Sequence, residues 1–206
     1  MVLSIFVLVG CTLNNYESVH DIDTVPENIN YNYESIPKNN EIAILLESSP
    51  HFRLYQTSER AGQDYRYDIF NSNGELVLSQ TMRRMQPQIR YINDNVLQIH
   101  RSAGTGVWQM QFYSIQADML SEVFESPFVI TDKLIGYVRW YNDALSLVVQ
   151  DLFDTEVYYN EFFIEGLERI STPINSIEYL GNNRIEVTYM AQINENWIET
   201  TTILEL

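Results

Sequence analysis

Acidic side chains are the most abundant groups in this sequence that could carry out chemistry. The 206 residues include 28 Asp and Glu. Asp151 and Asp154 come closest to a cluster, and Glu156 and Glu161 follow them. Two carboxylates that flank a glycosidic bond can hydrolyse it by acid–base or nucleophilic chemistry. Paired carboxylates therefore keep a carbohydrate-active enzyme open as an alternative, although their spacing across a turn is more typical of a solvated loop.

The sequence lacks the common motifs of catalysis and metal binding. It contains no Gly-x-Ser-x-Gly elbow, no phosphate-binding glycine loop before a helix and no His-Glu-x-x-His. His20, His51 and His100 stand far apart without recognisable partners, and a single cysteine excludes a Cys-rich zinc site within the chain. We therefore predict no catalytic residue, no metal and no cofactor, and we lean towards a protein that is not an enzyme.

Aromatic side chains are the remaining candidates for ligand binding. The chain has 14 Tyr and three Trp. Flat amphipathic rings bind sugars and peptides well, although many aromatic residues of β proteins serve as core or cross-strand pairs. We predict that an aromatic surface contacts a glycan or protein partner through five residues: Trp108, Trp140, Tyr141, Tyr158 and Trp197.

The first eleven residues indicate a targeting signal. An apolar run of about nine residues precedes Cys11 and is shorter than the roughly 20 that a membrane-spanning helix needs. A short apolar run is typical of the core of a signal peptide. The only cysteine follows in the stretch Leu8-Val9-Gly10-Cys11, which resembles the lipobox of bacterial lipoprotein precursors. The sequence departs from that pattern in having no Lys or Arg before Lys38.

The lipobox resemblance implies both a cellular location and a lipid anchor. Residues 1–10 would be the signal peptide, and Cys11 would receive a diacylglyceryl group and become the first mature residue. A two-chain lipid anchor holds a protein stably on a membrane. We therefore expect a lipoprotein of the bacterial cell membrane or envelope, with its domain outside the cytoplasm and membrane lipid as a partner through Cys11.

Residues 11–40 have the composition of a linker. Beyond Cys11 the segment is rich in asparagine and contains five acids, two prolines and one basic residue, with no helical or alternating apolar pattern. We predict a flexible polar tether here and a folded domain over residues 41–206.

The charge of the chain excludes one class of partner and is unevenly distributed. The formal net charge is −16, which argues against nucleic-acid binding, because that needs clustered positive charge. Residues 53–101 contain seven Arg and five acids, whereas residues 140–206 contain twelve acids and two Arg. Opposite fields of this kind could steer a partner or a neighbouring copy, although acidic secreted proteins also stay soluble this way.

Two kinds of hairpin recur along the folded part. Short runs rich in Val, Ile, Tyr, Phe, Trp and Thr alternate with Asn, Asp, Gly and Ser, which is typical of strands and turns. The first kind is a strand, a tight turn and an alternating strand, at 91–99, 179–187 and 129–137 and in weaker form from Leu45. The second kind follows it, at 67–76, 112–120 and 149–157, and is reduced to one long strand from Trp197 to Leu206.

These repeats predict an all-β, antiparallel domain of four units of about 40 residues. Units of this size with four strands each resemble β-propeller blades. An antiparallel sandwich or barrel is the alternative architecture, and Ile115–Phe124 has the spacing of one short helix.

We predict an extracytoplasmic lipoprotein that serves as a binding or interaction module. Its alternatives are a carbohydrate-active enzyme with paired carboxylates and a structural subunit of an envelope complex.

Overall fold

The computed structural model describes residues 43–58, 64–104, 106–141, 144–165, 167, 173–193 and 196–206. The chain divides into two units, Met1–Asn39 and Asn40–Leu206, and all described residues belong to the second. The predicted signal peptide, Cys11 and the predicted tether lie outside the described residues.

The described residues form sixteen strands in four antiparallel sheets. The first sheet contains β1 (Ile44–Ser48), β2 (Phe52–Gln56), β3 (Asp64–Phe70) and β4 (Leu76–Arg83). The second contains β5 (Gln88–Asn93), β6 (Val96–Gly104), β7 (Val107–Ser114), β8 (Met119–Leu120) and β9 (Phe124–Glu125). The third contains β10 (Phe128–Val129), β11 (Leu134–Tyr141), β12 (Ala144–Asp151) and β13 (Tyr159–Phe162). The fourth contains β14 (Ile174–Gly181), β15 (Arg184–Ile193) and β16 (Asn196–Glu205).

The prediction of an all-β antiparallel domain is therefore confirmed. Each predicted copy of the first hairpin joins the first two strands of a sheet, and the three full copies of the second join the third strand to the fourth. The reduced copy from Trp197 is β16, the last strand of the three-stranded fourth sheet. Asn182 and Asn183 show why the turns are tight, since both have positive φ, 52° and 56°. That conformation gives a two-residue hairpin loop whose twist matches the flanking strands, and asparagine tolerates it.

The helix considered for Ile115–Phe124 is wrong. The segment forms a turn and two short strands, β8 and β9, which both pair with β7. Asp118 adopts a positive φ of 51° in this turn, and its carboxylate accepts a 2.6 Å hydrogen bond from Tyr113 Oη. The apolar residues recur at helical spacing because the chain returns twice to the edge of β7. The described residues contain no helix, and so none that is long and apolar enough to cross a membrane.

Successive sheets pack face to face through three apolar clusters. The first and second sheets share a cluster that includes Leu54, Tyr67 and Ile99, and the second and third share one around Phe112 and Ile135. The cluster between the third and fourth sheets has eleven buried members: Leu145, Leu147, Val149, Ile164, Leu167, Ile174, Ile177, Ile185, Val187, Tyr189 and Ala191. The described strands thus make four stacked sheets, rather than the single sheet of a barrel or the two sheets of a sandwich.

Candidate functional site

The three tryptophans occupy the same rung of three different sheets. In the second, third and fourth sheets, the second cross-strand pair from the loop between the second and third strands contains a tryptophan. These pairs are Trp108 with Ser102, Trp140 with Leu145 and Trp197 with Gln192. A repeated position at one end of successive sheets is a recurring surface feature and not a property of a single hairpin.

The tryptophans also share a side of their sheets. Side chains alternate between the faces of a strand, so Trp108 lies on the face of Phe112, which packs towards the third sheet. Trp140 lies opposite Leu145, on the face towards the fourth sheet, and Trp197 lies on the face of the fourth sheet that points away from the third. Trp140 and Trp197 are 47% and 45% exposed. Each ring therefore lies on the side of its sheet that faces the next sheet in chain order, except that no described sheet follows the one that carries Trp197.

A groove opens beside Trp108. Its volume is about 430 Å³, and the chain between β4 and β5 forms one wall while the β6–β7 hairpin forms the other. The residues that line it are Met85, Gln86, Gln88, His100, Arg101, Ser102, Gly104, Gly106, Val107, Trp108 and Met110. The lining combines an indole ring and thioethers with amide, imidazole and hydroxyl groups, and none of its described residues is a carboxylate.

The groove carries little charge in spite of its arginine. Burial lowers the pKa of His100, and the positive charge of Arg90 lowers it further, so the imidazole is neutral near pH 7. Arg101 alternates with His100 along β6, and its guanidinium bonds on the other face, to Tyr67 Oη at 3.2 Å. A neutral lining with one flat ring suits a neutral, hydroxyl-rich ligand better than an ion.

A second polar cluster lies on the face of the third sheet towards the second. The Arg139 guanidinium stands over the rings of Tyr137 and Tyr159, and it donates hydrogen bonds to both hydroxyls, at 3.2 and 2.6 Å. Tyr137 Oη donates to Gln150 Oε1 at 2.8 Å, and Gln150 Nε2 donates to Glu122 Oε1 at 2.7 Å. This network joins the second and third sheets, and burial raises the pKa of Tyr137.

The remaining predicted aromatic residues do not line the groove. Tyr158 is half-buried and packs against the cluster between the third and fourth sheets, and burial raises the pKa of its hydroxyl. Tyr141 ends β11, and its side chain lies outside the described part of the structure. Of the five predicted residues, the structure thus places three, Trp108, Trp140 and Trp197, on equivalent rungs, with Trp140 on the second strand of its sheet and the other two on the third.

The clustered carboxylates organise a turn. Asp151 Oδ1 accepts hydrogen bonds from the backbone N–H groups of Phe153 and Asp154, at 2.9 and 3.1 Å. Asp154 Oδ1 accepts one from Glu156 N at 2.8 Å. Aspartates that bond their own backbone in this way are typical of turns. Within the described ranges, no group of three His, Cys, Asp or Glu residues is arranged to hold a metal ion.

Most residues of the groove were not predicted from the sequence. His100, Met85 and Met110 join Trp108 only because β5, β6 and β7 pair in register, and Met110 lies directly across from His100. The alternating pattern of β6 and β7 was a usable signal for this pairing. No sequence signal indicated the Arg139 network, because Tyr159 reaches Arg139 through the pairing of β13 with β12.

Comparison with known proteins identifies no family for this chain. No family model and no curated protein matches the chain. A crystal structure of the uncharacterized protein lmo1340 from Listeria monocytogenes EGD-e is similar at 15% identity, with a TM-score of 0.33. The similarity covers 78% of this chain and 52% of that protein, so this chain spans about half of its length. A likeness this low carries no argument about fold or function.

Proposed function

We propose that the protein is a lipid-anchored, extracytoplasmic binding module that contacts a neutral glycan at the tryptophan-bearing end of its sheets. The observation that carries the proposal is the repetition of tryptophan on equivalent rungs of three sheets, with a neutral groove beside the first. Indole rings stack on the faces of sugar rings, and nearby amides and hydroxyls bond the sugar hydroxyls.

The architecture that we propose is that of β-propeller blades. Four consecutive sheets of antiparallel neighbours, stacked face to face in chain order, support it. In such an arrangement the hairpins between the second and third strands lie at one end of all blades. Trp108, Trp140 and Trp197 would then form a series along that end, and a chain of sugars could contact more than one of them.

The membrane anchor is proposed from the sequence of the first eleven residues. The stretch Leu8-Val9-Gly10-Cys11 supports acylation of Cys11, and the polar composition of residues 11–40 supports a tether that holds the domain away from the bilayer. Metabolic labelling with palmitate tests the anchor. We expect label in the wild-type chain and none in Cys11→Ser, and an unlabelled wild-type chain would refute the anchor alone.

Tryptophan fluorescence during titration tests the binding site. We expect neutral oligosaccharides to change the emission of the full chain, and Trp108→Ala to weaken binding about 10-fold or more, because a stacked ring of this kind contributes on the order of 1–3 kcal/mol. Phe163→Ala is the matched control, since Phe163 is an aromatic residue that is 71% exposed and follows β13.

The outcomes separate the alternatives. Equal weakening by Trp108→Ala and Phe163→Ala, or no response to any neutral glycan, would reject the site. Cleavage of the glycan during the titration would favour the enzyme alternative, and loss of that cleavage in Glu161→Gln or Glu122→Gln would identify the carboxylate involved.

A further inference from the structure

The first and fourth sheets each have one face that no other described sheet covers. Apolar clusters join the first sheet to the second, the second to the third and the third to the fourth. No described cluster contains residues of both the first and the fourth sheet. The stack of sheets therefore ends in two faces, which differ in charge.

The uncovered face of the first sheet, the basic face, carries arginines on aromatic rings. Its members are residues of β2 and β3 on one face and the residues of β1 and β4 that lie across from them: Leu45, Ser48, Arg53, Tyr55, Asp64, Arg66, Asp68, Phe70, Leu76, Ser79, Thr81 and Arg83. Arg53 stands 4.8 Å from the ring centre of Phe70, and Arg66 stands 4.6 Å from that of Tyr55. Arg66 Nε lies 3.5 Å from Asp68 Oδ1, and three arginines against two aspartates leave this face with a net positive charge, carried at its surface by the exposed Arg53 and Arg83.

The uncovered face of the fourth sheet, the acidic face, has the opposite sign. It includes Glu178, Ser176, Arg184, Glu186, Thr188, Met190, Gln192, Trp197, Glu199, Thr201, Ile203 and Glu205. Four glutamates against one arginine make it negative. Its centre is apolar or uncharged, with Met190, Ile203 and the hydrogen-bonded hydroxyls of Thr188 and Thr201.

One pair on the acidic face points to a positive partner. Glu178 and Glu186 lie directly opposite each other on β14 and β15. Like charges at this position destabilise a sheet, and an approaching cation removes the repulsion. An arginine-bearing surface is a partner of the required chemistry, and the basic face of the same protein is such a surface.

We propose that the acidic face of one copy docks on the basic face of a second copy. The two faces are complementary in charge, and both belong to sheets that lack a neighbour on that side. A contact between two different faces is heterologous, and it closes into a ring when the rotation between copies allows it. This docking is independent of glycan binding and depends only on the basic face and the acidic face.

Two copies are the number that the sheet count favours. Two chains with four sheets each would give eight sheets, which is within the usual range of four to eight for closed rings of blades. Three copies would exceed it. In such a dimer Trp197 would border a following sheet, as Trp108 and Trp140 do.

Sedimentation velocity of the full chain in a density-matched detergent tests the docking. We expect a dimer at micromolar concentration that dissociates as salt is raised, because exposed charges are screened. Two charge reversals on the acidic face, Glu178→Lys with Glu186→Lys, should weaken the dimer about 100-fold, since like charges across an interface are strongly unfavourable. The same loss is expected from Arg53→Glu with Arg83→Glu on the basic face.

Mixing the two reversed variants provides the decisive measurement. The lysines of one variant then meet the glutamates of the other, and a mixed dimer should form although each variant alone is monomeric. The control is Glu156→Lys with Glu165→Lys, which changes the net charge equally at exposed positions outside both faces. A wild-type chain that stays monomeric at 100 times the expected concentration, or a dimer that the reversals leave intact, would overturn the proposal. Glycan binding by that monomer would leave the proposed function standing.

Discussion

The junction between the first and second sheets differs in chemistry from the junction between the third and fourth. The third–fourth junction is almost entirely aliphatic, with nine Leu, Ile or Val among its eleven buried residues. The first–second junction is richer in aromatic rings and also encloses an arginine, Arg101, which is 6% exposed. The same stacking of sheets is thus achieved once by hydrocarbon packing and once around a charge.

The buried arginine bonds only uncharged groups in the described structure. Arg101 Nη1 donates to Tyr67 Oη and to Gln80 Oε1, while Arg101 Nε has no hydrogen-bond partner among the described residues. A buried charge without an ionic partner contributes little to stability or reduces it. Burial alone therefore does not show which junction contributes more to stability. We expect the aliphatic junction to contribute more to the free energy of unfolding than the junction around Arg101.

The largest effect is expected from a cavity in the aliphatic junction. Leu147→Ala removes a fully buried side chain between the third and fourth sheets and should lower the free energy of unfolding by about 2–5 kcal/mol. Urea denaturation followed by far-ultraviolet circular dichroism measures the loss. A loss below 1 kcal/mol would contradict the ranking, and the partly buried Leu120→Ala in the first–second junction is the comparison variant.

Overpacking should disturb the same junction less. A Cβ added at Gly136 would approach Ile177 Cδ1 at 3.0 Å and Ile130 Cδ1 at 3.1 Å. Gly136→Val should therefore cost about 1–3 kcal/mol, because the isoleucines must shift. Combining it with Ile177→Val makes room and should recover part of the loss in the same denaturation experiment. No recovery would show that the strain lies elsewhere.

Alkaline pH should weaken the first–second junction. Burial raises the pKa of Tyr113, and its hydrogen bond to Asp118 and the charge of that carboxylate raise it further. Burial also raises the pKa of Tyr67. As pH rises, these tyrosines therefore lose their protons at a lower pH in the unfolded chain than in the folded chain. The stabilisation that is present below pH 10 is lost above it, by at most about 1.4 kcal/mol per pH unit for each tyrosine. Between pH 8 and 11, the denaturation midpoint of Tyr113→Phe should fall less than that of the wild-type chain. An equal fall in the two proteins would show that ionisation of Tyr113 does not affect stability.

The smallest effect is expected from the buried arginine itself. Arg101→Met keeps the apolar stem and removes the charge, while Tyr67 Oη still donates to Gln80 Oε1 at 2.5 Å. Stability should change by less than about 1 kcal/mol, or increase. Thermal melting of this variant and of Arg101→Ala separates the two contributions, because the first variant removes only the charge and the second removes the apolar stem as well. A large loss of stability in both variants would show that the charge stabilises the junction.

The sequence allowed the fold class to be predicted because its turns are local. Asn182 and Asn183, or Asn93 with the residues after it, specify tight turns from their own conformational preferences. The apolar residues of Ile115–Phe124 gave the wrong structure because two short strands return to one edge and imitate helical spacing. Only the contact of Asp118 with Tyr113 and the pairing with β7 distinguish these two short strands from a helix.

The candidate site was predictable only in its residue types. The three tryptophans were identifiable, but their common rung depends on the register of three hairpins, and Tyr158 had the same composition signal while packing against a core cluster. The face on which a side chain lies changes with a shift of one residue in register. That is why Trp108 could be proposed from the sequence whereas its neighbours His100 and Met110 could not.

Strand pairing that stays almost entirely between chain neighbours has a kinetic consequence. Apart from β9, each named strand in a sheet pairs with the strand directly before or after it along the chain. Such pairings close short loops, so each sheet can form early, before the rest of the chain has arrived. A chain that is synthesised amino terminus first would complete its sheets in order, each serving as the surface on which the next condenses.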